Sequence, residues 1–257
     1  MRTSLKMAAF AAALASLLAS TALANQLTIT RIAGYYPTLG EASSGGEFNI
    51  SGNDLTTYIN GYPQSSPALV KLVNSGIGIE TFCIEKSETI NLGSQYSFSI
   101  DPYAVKGGGG AQNQQDPVSV GAAWLYRQFV EGTLSGYHYD PSSGRATSAG
   151  QLQTTIWWLE NEGSDPTDSN PFRKLVNDYF TGLANPWVDY FFYHGQLIDA
   201  LYFGVEAINL KDSLNNDRQS QLIYVGGGHT FVPDGGVSLM LLGLALGGLS
   251  LLRRKVA

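Results

Sequence analysis

The chain holds a single cysteine, Cys83, in 257 residues, so no internal disulfide can form. Charge is sparse: Asp, Glu, Lys and Arg together make up 14% of the residues. Basic residues are the scarcer kind, 15 against 21 acidic, and five of the 15 (Arg2, Lys6, Arg253, Arg254 and Lys255) sit at the two ends. Residues 25–234 therefore carry a net charge of −11. A body this acidic lacks the clustered Lys and Arg that a phosphate backbone demands, which excludes nucleic acid as a partner. Only three histidines occur, His138, His194 and His229. They are too far apart for metal-ligand spacing, so no metal and no cofactor are expected. The glycine run at 107–110 is not followed by Gly-Lys-Ser/Thr and is no phosphate loop. No repeat of about 20 to 50 residues is present, which excludes a solenoid.

What is present begins at the ends. Arg2 and Lys6 precede an apolar run over residues 7–18, and Ala22-Leu23-Ala24 forms a small-x-small site. That order is a secretory signal peptide over residues 1–24, with a mature chain from about Asn25. At the other end, Val232-Pro233-Asp234-Gly235-Gly236 leads into an apolar stretch over residues 237–252, closed by Arg253-Arg254-Lys255. As a helix this stretch reaches about 24 Å, short of a hydrocarbon core of about 30 Å. Its basic end favours the cytoplasmic side and leaves the body outside, the topology the signal peptide also predicts. A lone thiol in an oxidising compartment is a liability unless buried, paired or chemically used, which draws attention to Cys83.

The tail resembles the PEP-CTERM family of sorting signals, in a variant reading Val-Pro-Asp-Gly-Gly. The resemblance spans residues 232–257. It implies processing by an exosortase-type transpeptidase that recognises Val232, Pro233, Asp234, Gly235 and Gly236. Arg253, Arg254 and Lys255 would then be the membrane stop signal.

Between the ends, residues 26–32 alternate as a strand, residues 47–51 form a short one, and Tyr96, Phe98 and Ile100 alternate again. Residues 76–85 place Ile77, Ile79, Thr81 and Cys83 on one face and Phe82 and Ile84 on the other, the pattern of a central strand. The middle reads as helical. Asp116-Pro117 predicts an N-terminus for a helix carrying Val118, Ala122, Leu125 and Phe129 and ending at Gly132. Ser148 and Gln151 form a capping box for a second helix through Glu160, with Leu152, Ile156 and Leu159 inward. Asn170-Pro171 opens a third, carrying Phe172, Leu175, Val176, Tyr179 and Leu183. Residues 204–210 and 219–225 flank a polar turn and predict a hairpin, while the state of the aromatic stretch 190–193 is ambiguous. The expected class is α+β: a single β-rich exported domain over residues 25–225 with a central helical section. A glycine-rich spacer, 226–231, joins it to the sorting segment 232–257 and its transmembrane helix.

Cys83 lies in Thr81-Phe82-Cys83-Ile84-Glu85, on the expected strand. Seventy residues later comes Leu152-Gln153-Thr154-Thr155-Ile156-Trp157, near the expected start of a helix. The pair resembles the thioester domains of bacterial surface adhesins, in which an aromatic-Cys segment joins the Gln of a Thr-Gln-x-Ala-Ile-Trp segment. Cys83 and Gln153 match the bonding residues, and Ile156 and Trp157 are in place. Leu152 stands where that family prefers Thr, and Thr155 where it prefers Ala. The resemblance implies an internal thioester, shielded from water by Phe82, Trp157 and Trp158. An unreactive buried cysteine beside an ordinary helical glutamine accounts for the same residue types.

Other candidates carry less. Glu160 and Glu162, two apart, do not share a helix face as a glycosidase pair would be expected to, and read as solvated surface. Asp165, Asp168 and Asn170 lack the glycine and terminal Glu of an EF-hand and read as a helix-capping loop. Tyr35-Tyr36, Tyr137, Tyr139 and residues 187–193 could stack on sugars, against a default of core packing. The leading expectation is a non-enzymatic cell-surface or exopolysaccharide-matrix protein, membrane-anchored through residues 237–252 until processed. A covalent adhesin using the Cys83–Gln153 thioester against surface amines or hydroxyls is one alternative. A carbohydrate-binding or carbohydrate-active protein is the other.

Overall fold

The computed structural model describes residues 25–35, 45–73, 76–105, 113 and 115–226. The signal peptide, Tyr36, the glycine run 107–110, the spacer from 227, His229 and the sorting segment lie outside them. In chain order the first strands are β1 (Gln26–Thr30), β2 (Phe48–Ser51), β3 (Leu69–Leu72), β4 (Gly76–Thr81), β5 (Gln95–Asp101), β6 (Tyr103–Val105) and β7 (Gln115–Pro117). The rest are β8 (Tyr190–Tyr193), β9 (Gln196–Asp199), β10 (Val205–Lys211) and β11 (Asp217–Tyr224). The helices are α1 (Thr56–Ile59), α2 (Val120–Glu131), α3 (Arg145–Leu159) and α4 (Pro171–Phe180). Strands, then helices, then strands, with antiparallel pairing, make the α+β class expected above.

Seven strands form one sheet in the order β11-β10-β5-β1-β2-β4-β3. Leu27 and Ile29 of β1 and Tyr96 and Phe98 of β5 point inward, as the alternation of each strand requires. β4 departs from expectation. Ile77, at its tip beside the short edge strand β3, is 44% exposed, so only the far end of the strand is buried on both faces. The regular strand stops at Thr81, and the chain beyond it turns to pair with β11. The Ile84 N–H donates to the Ser220 carbonyl, and the Leu222 N–H donates to the Phe82 carbonyl. Cys83 faces Gln221 in an isolated antiparallel bridge. The sheet thus curls back on itself, with β3 left outside the ring.

Two helix starts differ from the sequence reading. Pro117 drives Asp116 toward the extended region, so Gln115–Pro117 becomes β7, paired with β6. Helix α2 begins after Ser119, whose hydroxyl accepts the Ala122 N–H at 3.3 Å. Helix α3 begins at Arg145, after Gly144 at φ +107°, and Ser148 lies within it. The Ser148 hydroxyl accepts the His138 N–H at 3.1 Å and caps nothing. Asn170 does cap α4, accepting the Phe172 and Arg173 N–H groups at 3.0 and 3.3 Å. That helix ends at Phe180, leaving Leu183 exposed beyond it.

The early start of α3 has a cause. Arg145 and Glu47 are both buried, and the Arg145 Nε–H donates to both Glu47 oxygens at 3.0 Å. A second guanidinium N–H of Arg145 also bonds Glu47. The Tyr137 hydroxyl donates to Glu47 at 2.7 Å, and Arg145 reaches the Tyr139 and Pro67 carbonyls at 2.8 and 3.0 Å. Tyr35 covers the guanidinium, 3.9 Å from its ring centroid. Fixing the first residue of α3 fixes the rotation of the whole helix against the segment before β2. Arg145→Met strands the Glu47 charge, and urea denaturation should show a loss of about 3–5 kcal/mol. A loss within experimental error would mean that the pair does not hold the two elements together.

Candidate functional site

Gln153 is the ninth residue of α3, mid-helix, because the helix begins earlier than the sequence implied. Arg145 lies two turns before it, and both side chains reach the same segment, residues 45–47. Gln153 and Cys83 are both wholly buried. The Gln153 carbonyl oxygen accepts two backbone N–H groups, from Cys83 at 2.8 Å and from Gly46 at 3.0 Å. Its amide nitrogen donates to the Cys83 carbonyl at 2.8 Å. Two donors facing one atom and an acceptor facing the other set the orientation of the carboxamide. The strand-against-helix-start pairing becomes a post-strand bridge against a mid-helix turn, and the two residues meet.

The thiol itself meets a second glutamine. Gln221 of β11 donates its amide N–H to Cys83 Sγ at 3.5 Å. Burial pushes the Cys83 thiol up to about 12, opposed by the hydrogen bonds from Gln221 and the Gly46 N–H and assisted by the charge of Glu85. The Gly46 N–H, bonded to the Gln153 oxygen at 3.0 Å, thus favours the charged form of the thiol as well. Two N–H groups on a carbonyl oxygen are what stabilise an oxyanion when a nucleophile adds to its carbon.

One aromatic ring packs directly on the segment that binds Gln153. Trp157, one turn beyond Gln153, is buried, and its ring lies so close to Gly45 that a Cβ there would stand 2.4 Å from Cζ2. Only glycine fits at 45. The Lys86 ammonium lies 5.4 Å from the centroid of the Trp157 ring on its outer side. Phe82 packs edge-on against Phe129 of α2, and Trp158 edge-on against Trp187. Of the three aromatics expected to shield the pair, all are buried, and Trp157 is the one packed against the segment that binds Gln153.

The lesser candidates resolve separately. Asp165 and Asp168 bind the Arg173 guanidinium at 2.5–2.7 Å, as a capping loop would. Among the described residues no cluster of His, Cys, Asp and Glu could hold a metal ion. No helix among them is long and apolar enough to cross a membrane. Tyr35, Tyr137 and Tyr139 gather around the Arg145–Glu47 pair, Tyr137 buried and the other two half-buried. Tyr190 and Phe192 are exposed and line a pocket of about 480 Å³ with Leu197, Asp189 and Asp199.

Glu160 is a correction: it is buried, not solvated. It accepts the Ser119 hydroxyl at 2.8 Å and the Ser119 N–H at 3.1 Å, tying the start of α2 to the end of α3. Burial pushes its carboxyl up to about 8, the Ser119 bonds opposing and the charges of Asp116 and Asp189 adding to the shift. Because the folded chain holds this proton more tightly than the unfolded one, stability falls as pH rises from the ordinary carboxyl range through about 8. Urea denaturation of Glu160→Gln between pH 5 and 9 should show a flatter decline than wild type, by about 1 kcal/mol or more. Parallel curves would show that Glu160 titrates normally.

Gly46 and Gln221 were not singled out from the sequence, although Gly45-Gly46 before Glu47 and the polar run Gln219-Ser220-Gln221 are visible there. Comparison with family models, with characterised proteins and with solved structures finds no match for this chain.

Proposed function

We propose that this is an exported surface protein that stores an internal Cys83–Gln153 thioester and spends it once, acylating an amine or hydroxyl on a target surface. The observation that carries the reading is the triple hydrogen bond of the Gln153 carboxamide to the Cys83 peptide and the Gly46 N–H. In the closing step Sγ adds to the Gln153 side-chain carbon, the S–C bond forms and the C–N bond breaks. The thiol proton departs with the amide nitrogen as ammonia. In the opening step a target nucleophile adds to the same carbon, the C–S bond breaks, and the nucleophile's proton passes to the departing sulfur. The protein is a reactant consumed by its bond and not a turnover enzyme.

Two physical features support the chemistry. Held reactants gain effective concentrations of about 10⁵–10⁸ M, which offsets the poor ionisation of a thiol at about 12. The product is uncharged, so the burial that disfavours the thiolate does not disfavour the thioester. Trp157 and its contact with Gly45 exclude the water that would hydrolyse it. Export rests on the signal peptide, and delivery to the cell surface or exopolysaccharide matrix rests on the PEP-CTERM-like segment.

Intact mass of the mature protein should fall one ammonia below its sequence in most molecules. Cys83→Ala and Gln153→Ala should abolish the deficit, and methylamine should open the bond at the Gln153 carbonyl. Full sequence mass, with a thiol that a maleimide titrates stoichiometrically in the native protein, would reduce Gln153 to a tie between α3 and the Cys83 segment. Sorting is tested apart from this. Pro233→Ala with Asp234→Ala should leave the chain in the membrane fraction, and unchanged release would remove the exosortase reading.

A further inference from the structure

Cys83 has two buried glutamines beside it, and their carboxamides are bound in opposite ways. The Gln153 oxygen takes two N–H groups, which draws electrons from its carbon. The Gln221 oxygen is buried with no partner at all. Its nitrogen donates to Cys83 Sγ at 3.5 Å and to the Gln219 carbonyl at 3.3 Å. Turning that carboxamide over would put its oxygen against the Gln219 oxygen, so the N–H must face the sulfur. An orphaned buried acceptor is costly and rare in folded proteins, and a Met side chain would fill the same space without it. The isolated bridge between Cys83 and Gln221 holds the two backbones opposite each other, so the contact is built by the ring closure of the sheet.

We infer that Gln221 is a catalytic residue of the thioester chemistry, its amide N–H stabilising negative charge on Sγ both when the thiol attacks Gln153 and when the thiolate is expelled by the target. The inference rests on the thioester reading. It also explains why Gln153 and not Gln221 is the acyl donor. Both carboxamides bond to Cys83, Gln221 at the sulfur and Gln153 at the peptide, but only the Gln153 oxygen has donors to receive the charge of a tetrahedral adduct. On the other elements packed against Cys83, the facing groups are the neutral Gln153 and Gln221 carboxamides and the Gly46 N–H. Glu85, two residues on, is the ionisable side chain whose charge bears on the thiol. Its carboxyl accepts the Ser220 N–H at 3.3 Å and is pushed up to about 9 by burial and by Glu88. A pH scan held below that range reads the sulfur and its donor rather than Glu85.

The test uses the reversibility of the bond in the full chain. Ammonium ions at alkaline pH open the thioester and regenerate the thiol and the carboxamide. After their removal, reclosure is followed by intact mass and by thiol titration in denaturant. Gln221→Met should reclose about tenfold or more slowly than wild type, the worth of one hydrogen bond to a charged atom. Opening by methylamine should slow in parallel. Gln221→Glu keeps the shape and reads the same contact if the Met variant does not fold. Its protonated carboxyl can donate at low pH and its carboxylate repels the thiolate at higher pH, so its closing rate should fall as pH rises while that of wild type climbs. Reclosure with wild-type rate and wild-type pH profile in the folded variants would overturn the role of Gln221. Wild-type protein that never loses ammonia would instead sink the thioester reading, and the role of Gln221 with it.

Discussion

The buried pair of Arg145 and Glu47 is the constraint on which the rest depends. An unpaired charge in this interior would be prohibitive, so the two must meet, and each is supplied with further partners to make the meeting tolerable. Glu47 takes the Tyr137 hydroxyl as well as the guanidinium, and Arg145 takes two carbonyls and the face of Tyr35. One consequence is positional. With its first residue fixed at Glu47, α3 carries Gln153 two turns on to the neighbouring Gly46, and Trp157 one turn further to Gly45. Three contacts along one helix stripe grip three consecutive residues of one loop.

A second closure acts from the opposite side. The chain after β4 leaves its strand and pairs with β11, which brings Cys83 to Gln221 while its peptide still faces α3. The thiol is therefore placed by the sheet and the carboxamide by the helix. Neither element alone contains both side chains. Buried polar side chains are dense in this fold: Glu80, Glu85, Asp116, Glu160, Gln153, Gln219 and Gln221 are all inside. Several keep an oxygen without a partner, among them Glu80, Glu85, Asp116 and Gln221. A core optimised only for stability would replace such groups with apolar ones, and local departures of this kind concentrate where a protein acts.

Much of the fold was legible in the sequence, for reasons that can be named. The alternation in β1 and β5 and the Asn170-Pro171 cap are local signals read by local physics, and the structure follows them. The starts of α2 and α3 were misplaced because tertiary contacts override local capping patterns: Ser119 is claimed by Glu160 and Arg145 by Glu47. Short edge elements such as β3, β6 and β7 carry too few residues for periodicity to appear. Of the site, Cys83 and Gln153 were visible through a motif, but their partners were not. Gly46 contributes only a backbone N–H, and Gln221 looks like any polar residue of a hairpin strand. Glu160 was misread because a carboxylate near a helix end is usually solvated, and only its contact with Ser119 marks it as internal.

The separations along the chain impose an order of events. Gln153 meets Cys83 across 70 residues and Gly46 across 107, and Gln221 meets the sulfur across 138. Contacts so distant form late, after the loop-closure entropy of the whole domain has been overcome. In an unfolded chain the thiol and the carboxamide are therefore strangers, and the carboxamide is an unreactive amide like any other. Only the folded body aligns the two N–H groups on the Gln153 oxygen and excludes water beneath Trp157. A thioester of the kind proposed above, formed only by the complete fold, would not be discharged during synthesis or passage across a membrane. For the proposed bond, usable once, that coupling would reserve its reactivity for the finished fold.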